Sequence, residues 1–399
     1  MRYRWVILAA GTLAQASFSA LSVGLPAMAP ALRSNYDLSL GKTGVVLGAV
    51  GIGMLFTLLP WGFLADRISE QLVIALGLAL AAASLVLAGW TTSYAPLVLA
   101  LFAAGAFGAS VNAASGRAVM GWFPVTQRGL ALGVRQTAIP IGGAAAAAGL
   151  PWLADAGGTK LAFVVLGGSC FLGAVVALAF IRTPPAPGAD LANITGPMRD
   201  LRMWILGLGA GLYLTSQIAI TGFLVLFLHV HRGVSAHRAA LLLAGINVLS
   251  IGARIVSGRW SDHVHTRLRP IRQIGVALTA ATAIVAVATD APLALLIPAL
   301  VVAGCLSMAW NGLAIAAAAE TASGGRVGAA IGLQQTLLGI LVAGVPPLFA
   351  VVAGSSWRLA FALAALGPAI GAAALAWVPE PSRLRVQTRG TSAIPPAAR

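Results

Sequence analysis

Residues Asn112 to Thr137 read NAASGRAVMGWFPVTQRGLALGVRQT, and residues Asn311 to Thr336 read NGLAIAAAAETASGGRVGAAIGLQQT. Four identities align them: Asn112 with Asn311, Gly133 with Gly332, Gln136 with Gln335 and Thr137 with Thr336, each pair 199 residues apart. The same spacing pairs Trp5 with Trp204 and Ser17 with Ser216, so the echo covers most of each half. A duplication on this scale predicts two copies of one packing unit sharing an axis.

The solvent around those units follows from composition. Of 399 residues, 59% are hydrophobic and 9% charged, with a mean hydropathy of +0.92, which is too apolar for a soluble surface of this size. Apolar runs long enough to cross about 30 Å of hydrocarbon recur throughout, at about 5–30, 43–64, 71–91, 96–119, 129–152 and 160–181, then at 203–229, 237–258, 272–289, 293–318, 328–352 and 357–378. The first run follows Arg2 and Arg4 but has no convincing small-residue cleavage site, so it reads as a retained helix. The expected fold is therefore an all-α membrane protein of twelve transmembrane helices. Its units are a six-helix bundle over 1–181, a Pro-rich linker over 182–202, a second six-helix bundle over 203–379 and a tail over 380–399.

The formal net charge of +15 raises the question of nucleic acid, and the positions of the basic residues answer it. Sixteen of the 25 Lys and Arg fall on one side of the predicted helices, six on the other (Arg33, Lys42, Lys160, Arg232, Arg238, Arg358) and three within spans. That bias sets topology, with both termini cytoplasmic, and leaves no nucleic-acid partner to invoke. Cys170 and Cys305 sit in apolar runs of different halves and form no disulfide or metal pattern. No nucleotide-binding loop and no nucleophile with a base is present, so the chain is read as neither an enzyme nor an ATP-driven pump, and it implies no cofactor.

Ionisable groups within spans are costly and mark function. Three are present, Arg117, Arg135 and Arg254, and the repeat places Ala316, Gln334 and Leu58 at their twin positions, so the scaffold itself does not need the charges. The alternative for each is a structural pairing with carbonyls or lipid phosphate, and Arg117 is near enough to a helix end to snorkel. No Asp or Glu falls in the middle of any span, which disfavours a cationic cargo and favours an anion. Gln15, Asn112, Asn311, Gln136, Gln335, Tyr213 and Gln217 are further candidates to line a cavity, although the symmetric pairs equally suit interhelical hydrogen bonding. His229 and His231 end the seventh span near the outer surface, where solvated loop histidines are the commoner case.

Between spans two and three stands Gly62-Phe-Leu-Ala-Asp66-Arg67, and 196 residues on, between spans eight and nine, stands Gly258-Arg-Trp-Ser-Asp262 with Arg267 beyond it. G-x-L-x-D-R in a short cytoplasmic loop resembles the signature of the major facilitator superfamily, although Ser69, Glu70 and Gln71 depart from the usual ending. The resemblance implies secondary transport by alternating access and a cytoplasmic latch. Within it Asp66 would meet the start of span eleven near Arg326, and Asp262 the start of span five near Arg128, each carboxylate facing a helix N-terminus. Arg254, four residues before Gly258, resembles in placement the substrate-binding arginine of oxalate and monocarboxylate carriers. The Trp122-Phe123-Pro124 run with Arg128-Gly129 is similar to carriers of cyanate-like, nitrate-like and carboxylate solutes. Pro140 with Gly142 and Gly143 resembles a shortened antiporter motif, which keeps drug or metabolite efflux as an alternative; a membrane sensor that binds a solute without moving it is a third reading. The expected partners are a small, anionic solute, a coupled proton or counter-anion, and the bilayer of a cell or inner membrane, with the chain acting as a monomer.

Overall fold

The computed structural model describes residues 3–123, 128–182, 199–322 and 327–380, and among these every regular element is helical. The first span is α1 (Tyr3–Ser22), a tight turn at Leu25–Met28 and α2 (Ala29–Asn35). Pro26 and Pro30 stand at the starts of the last two pieces, where a missing N–H costs nothing. Then come α3 (Leu40–Arg67), α4 (Glu70–Gly89), α5 (Tyr94–Trp122), α6 (Arg128–Gln136) and α7 (Ala138–Phe180).

Among the described residues eleven helical stretches are long and apolar enough to cross a membrane, and the fifth, 48 residues long, holds two crossings. Within α7 the helix breaks at Gly157 and Gly158, the latter at φ +69°, a conformation glycine adopts without the penalty a side chain would bring. That break restores the expected count of twelve.

In the second half, span seven is α8 (Leu201–Gly211), α9 (Tyr213–Gln217), a π-type turn at Ile218–Gly222 and α10 (Phe223–Val230). There follow α11 (Ala236–His263), α12 (Leu268–Val287), α13 (Leu293–Ala309), α14 (Asn311–Thr321), α15 (Val327–Ser355) and α16 (Trp357–Leu375). The repeat is not followed slavishly: span four is one helix through Asn112, whereas span ten is interrupted at Trp310, just before the twin Asn311.

Two pairs of helices, α3 with α15 and α7 with α11, carry most of the contact between the halves, and α2 with α10 and α6 with α14 add smaller ones. On the outer side, away from the basic bias, they are closely packed. A Cβ on Gly44 would stand 2.3 Å from that of Ala350, and one on Gly51 would stand 2.8 Å from Val342 Cγ1, so only glycine lets these backbones approach. At the outer end of α7, the Asp155 carboxylate lies 3.3 Å from His237 Nε2, and Trp152 packs on the same imidazole with ring centroids 4.3 Å apart.

Toward the inner side α6 meets α14 across the halves. Leu55 against Gly339 is the innermost glycine contact between α3 and α15, and no described atom stands within 4 Å of where a Cβ would be on Gly62 or Gly258.

Candidate functional site

The site forms where Arg254 of α11 reaches Gln136, just before the start of α7. Arg135, in the last turn of α6, is 8% exposed and enclosed by its own bundle. Its Nε donates to Ser115 Oγ at 2.9 Å, its Nη2 to Gln15 Oε1 at 2.8 Å and its Nη1 to Gln136 Oε1 at 3.3 Å. Ser115 donates its own proton to the Val111 carbonyl, which turns a lone pair toward the guanidinium. Gln15 donates through Nε2 to Ser19 at 3.4 Å, which directs its oxygen to Arg135. All three partners are neutral.

Arg254 reaches the same place from the opposite half. Its Nη1 donates to the backbone oxygen of Gln136 at 3.4 Å, and its Nε is buried with no partner. Among the described residues no carboxylate lies within 4 Å of either guanidinium. Taking a cation out of water without a counter-ion costs on the order of several kcal/mol, so two such groups at one seam make a site that favours an incoming negative charge. Gln136 is the hub: its side chain accepts from Arg135 and its main chain from Arg254, both bonds long enough to yield to a better acceptor.

The other expected residues divide. Asn311 donates to Gln217 Oε1 at 3.4 Å and to the Met308 carbonyl at 3.4 Å, a weak cross-link within the second bundle. Asn112 and Gln335 are half-buried on α5 and α15. Tyr213 requires a correction: it is 0% exposed, donates to the Ile271 carbonyl at 3.0 Å and packs edge-on against Trp310, so it ties helices together and lines no cavity.

At the inner face Asp262 has a partner within its own half. It pairs with Arg267 of its own bundle at 2.8 Å, while the same guanidinium meets Glu320 at 2.9 Å. Arg128, the partner that the latch motif assigns to Asp262 across the halves, has its side chain outside the described residues, so this expectation is not addressed by the described contacts. Glu380 accepts from the backbone N–H groups of Arg267, Leu268 and Arg269 and so caps the N-terminus of α12. Arg67 is exposed in the last turn of α3. Arg326 and the side chains of Asp66, Arg117 and Arg128 lie outside the described residues.

Sequence reasoning passed over three features. Ser115 and the Gln136 carbonyl hold arginines that were identified without their partners. Gln334, noted only as the twin of Arg135, is 1% exposed, and neither its Oε1 nor its Nε2 has a partner. The third is the outer pair Asp155 and His237, 82 residues apart in the chain, which joins the two halves.

Comparison with known proteins agrees with this architecture. The family model described as Major Facilitator Superfamily matches residues 7–346. An uncharacterised MFS-type transporter of Mycobacterium tuberculosis (strain CDC 1551 / Oshkosh) is 32% identical over 373 residues, covering 92% of this chain and 83% of the relative. A probable sulfoacetate transporter of Cupriavidus necator is 23% identical over 270 residues, 63% of each chain. Among solved structures, a bacterial homologue of the human lysosomal transporter Spinster, inward-facing and occupied, superposes with a TM-score of 0.73 at 18% identity, covering 95% of each chain. A nucleoside transporter, NupG, does so with a TM-score of 0.72 at 14% identity, covering 93% of this chain and 99% of that one. With its twelve spans, its duplicated half and the family match along most of its length, the chain belongs to the Major Facilitator Superfamily.

Proposed function

We propose that this protein is a secondary carrier of a small organic or inorganic anion, moved by alternating access and coupled to protons or to a counter-anion. The observation that carries this reading is the convergence of Arg135 and Arg254, one from each half, on Gln136 with no described carboxylate beside them. An anion entering from the inner side replaces the two long bonds to Gln136 with charge-assisted ones, which are shorter and roughly twice as strong. Because it then binds both halves, it favours their approach, and that differential binding is what a transport cycle requires. The Cupriavidus relative named for sulfoacetate, an organic anion, supports the same reading.

Efflux of amphiphilic compounds is the second reading. A groove of about 440 Å³ between α1 and α7, lined by Trp5, Leu8, Leu13, Val134 and Ile141, favours it. The Gly142-Gly143 remnant does not, since close packing accounts for Gly142: a Cβ there would stand 2.3 Å from the Ala16 carbonyl oxygen.

Uptake of a panel of carboxylates, sulfonates and inorganic anions into proteoliposomes tests the proposal, with Arg135→Gln and Arg254→Gln as controls. Saturable anion uptake lost in both variants is the expected result. Anion uptake retained in both, or transport confined to lipophilic dyes, overturns it.

A further inference from the structure

The two main seams between the halves are twins by the repeat, and their side chains have diverged. On the outer side α3 meets α15 through glycine and aliphatic groups: a Cβ on Gly41 would stand 3.8 Å from Val351 Cγ2, and one on Gly51 would stand 2.8 Å from Val342 Cγ1. The spacing of 196 residues carries Gly41 to His237 and Gly51 to Asn247, and the spacing of 199 carries Val342 to Gly143 and Val351 to Trp152. Those twins meet as well. Trp152 packs on His237 with ring centroids 4.3 Å apart, and a Cβ on Gly143 would stand 3.1 Å from Asn247 Oδ1. Each apolar rung of the first seam is thus a polar rung of the second, so the scaffold closes without needing His237 or Asn247.

The two polar rungs act in opposite directions. At the outer one, Trp152 and Asp155 stand three residues apart on one face of α7 and both touch the His237 imidazole, the carboxylate 3.3 Å from Nε2. That clasp exists only while the outer ends of α7 and α11 are together, so it favours the shut seam. Ten residues further along α11, about 15 Å deeper, Asn247 is 0% exposed. Its Nδ2 donates to the Leu243 carbonyl at 2.9 Å, which leaves Oδ1 facing Gly143 of the opposite half, and this oxygen has no hydrogen-bond partner. A sealed acceptor without a donor raises the free energy of the shut seam, and water satisfies it once the seam parts. Asn247 therefore favours opening.

We propose that the α7–α11 seam is the controlled outer gate of this protein, a balanced device in which the clasp of Trp152 and Asp155 on His237 holds the seam shut while the unsatisfied Asn247 oxygen drives it open. The opposition keeps the two states close in free energy, which lets a ligand with modest differential affinity move the carrier from one to the other. Arg254 lies seven residues inward of Asn247 on the same face of α11, so the gate stands two helical turns from the group that reaches Gln136. The inference rests on alternating access and is independent of what the cargo is.

Hydrogen–deuterium exchange of the full chain in lipid nanodiscs, with no solute added, tests this over residues 143–155 and 237–247. His237→Ala is expected to raise exchange there by about threefold or more, and Asp155→Asn to raise it by less. Asn247→Leu and the smaller Asn247→Ala are expected to lower it by about fivefold or more, with His237→Ala/Asn247→Leu falling between the single variants. Val351→Ala, at the twin of Trp152, is expected to leave it within about twofold. Unchanged or raised exchange in both Asn247 variants overturns the inference, the result expected if a buried water already satisfies the oxygen. Unchanged exchange in His237→Ala, or an equal rise in Val351→Ala, overturns it too. None of these outcomes bears on the anion reading, and a failed anion panel leaves the gate standing.

Discussion

Arg135 and Gln334 occupy one position in two copies of the same unit, and their surroundings differ more than the residues do. In the first half Gln15 and Ser115 form a polar nest that holds a guanidinium in one orientation. In the second half the same places are Leu214 and Ala314, and the amide between them is unpaired. Duplication supplies the helices and their axis. Divergence at the equivalent position supplies the chemistry, with a fixed cation on one side and a neutral, unsatisfied amide on the other. Arg254, whose twin is Leu58, adds the second charge without a nest, held by one long bond. An anchored arginine and a loosely held one suit a ligand that must be gripped and then released.

The largest effect is expected from making the halves alike. Arg135→Gln installs the twin's residue, removes the anchored charge and lowers anion uptake by about two orders of magnitude; an undiminished rate would place this charge outside the transport cycle. Exchanging the lining instead, with Gln15→Leu and Ser115→Ala together, strands a buried cation without its two best acceptors. The melting temperature in detergent is expected to fall by on the order of 5 °C or more, and transport with it. The converse change, Leu214→Gln, offers Gln334 a partner in the resting state. It is expected to raise the melting temperature by about 2–4 °C, because a buried amide gains a hydrogen-bond partner. The smallest effect concerns the inner latch: Asp66→Asn is expected to slow turnover a few-fold with substrate affinity unchanged, since it acts on closure and not on the site.

Much of the architecture was legible because the bilayer imposes lengths and the chain marks its own turns. The apolar runs located the spans, and the Gly157-Gly158 pair separates two crossings within one long helix. The arginines were legible because a charge in hydrocarbon is expensive and the repeat offered an uncharged control. What pairs with them was not, since Ser115 is one small polar residue among many and the Gln136 carbonyl carries no sequence signal. Tyr213 was misread for a related reason: an amphipathic ring serves a cavity or a core equally well until its hydroxyl is seen on the Ile271 carbonyl. The Arg267 contact of Asp262 was not legible either, since a carboxylate five residues from an arginine at a helix end carries no sequence signal of pairing.

The central claim is that two arginines from opposite halves hold one anion. Calorimetric titration of the purified protein with the best-transported anion, applied to wild type, Arg135→Gln, Arg254→Gln and the double variant, tests it directly as a thermodynamic cycle. The account predicts that each single variant binds at least about tenfold more weakly and that the double variant is little worse than either, because a ligand bridging both groups loses the clamp with the first. Strictly additive losses, or affinity unchanged in either single variant, would contradict it.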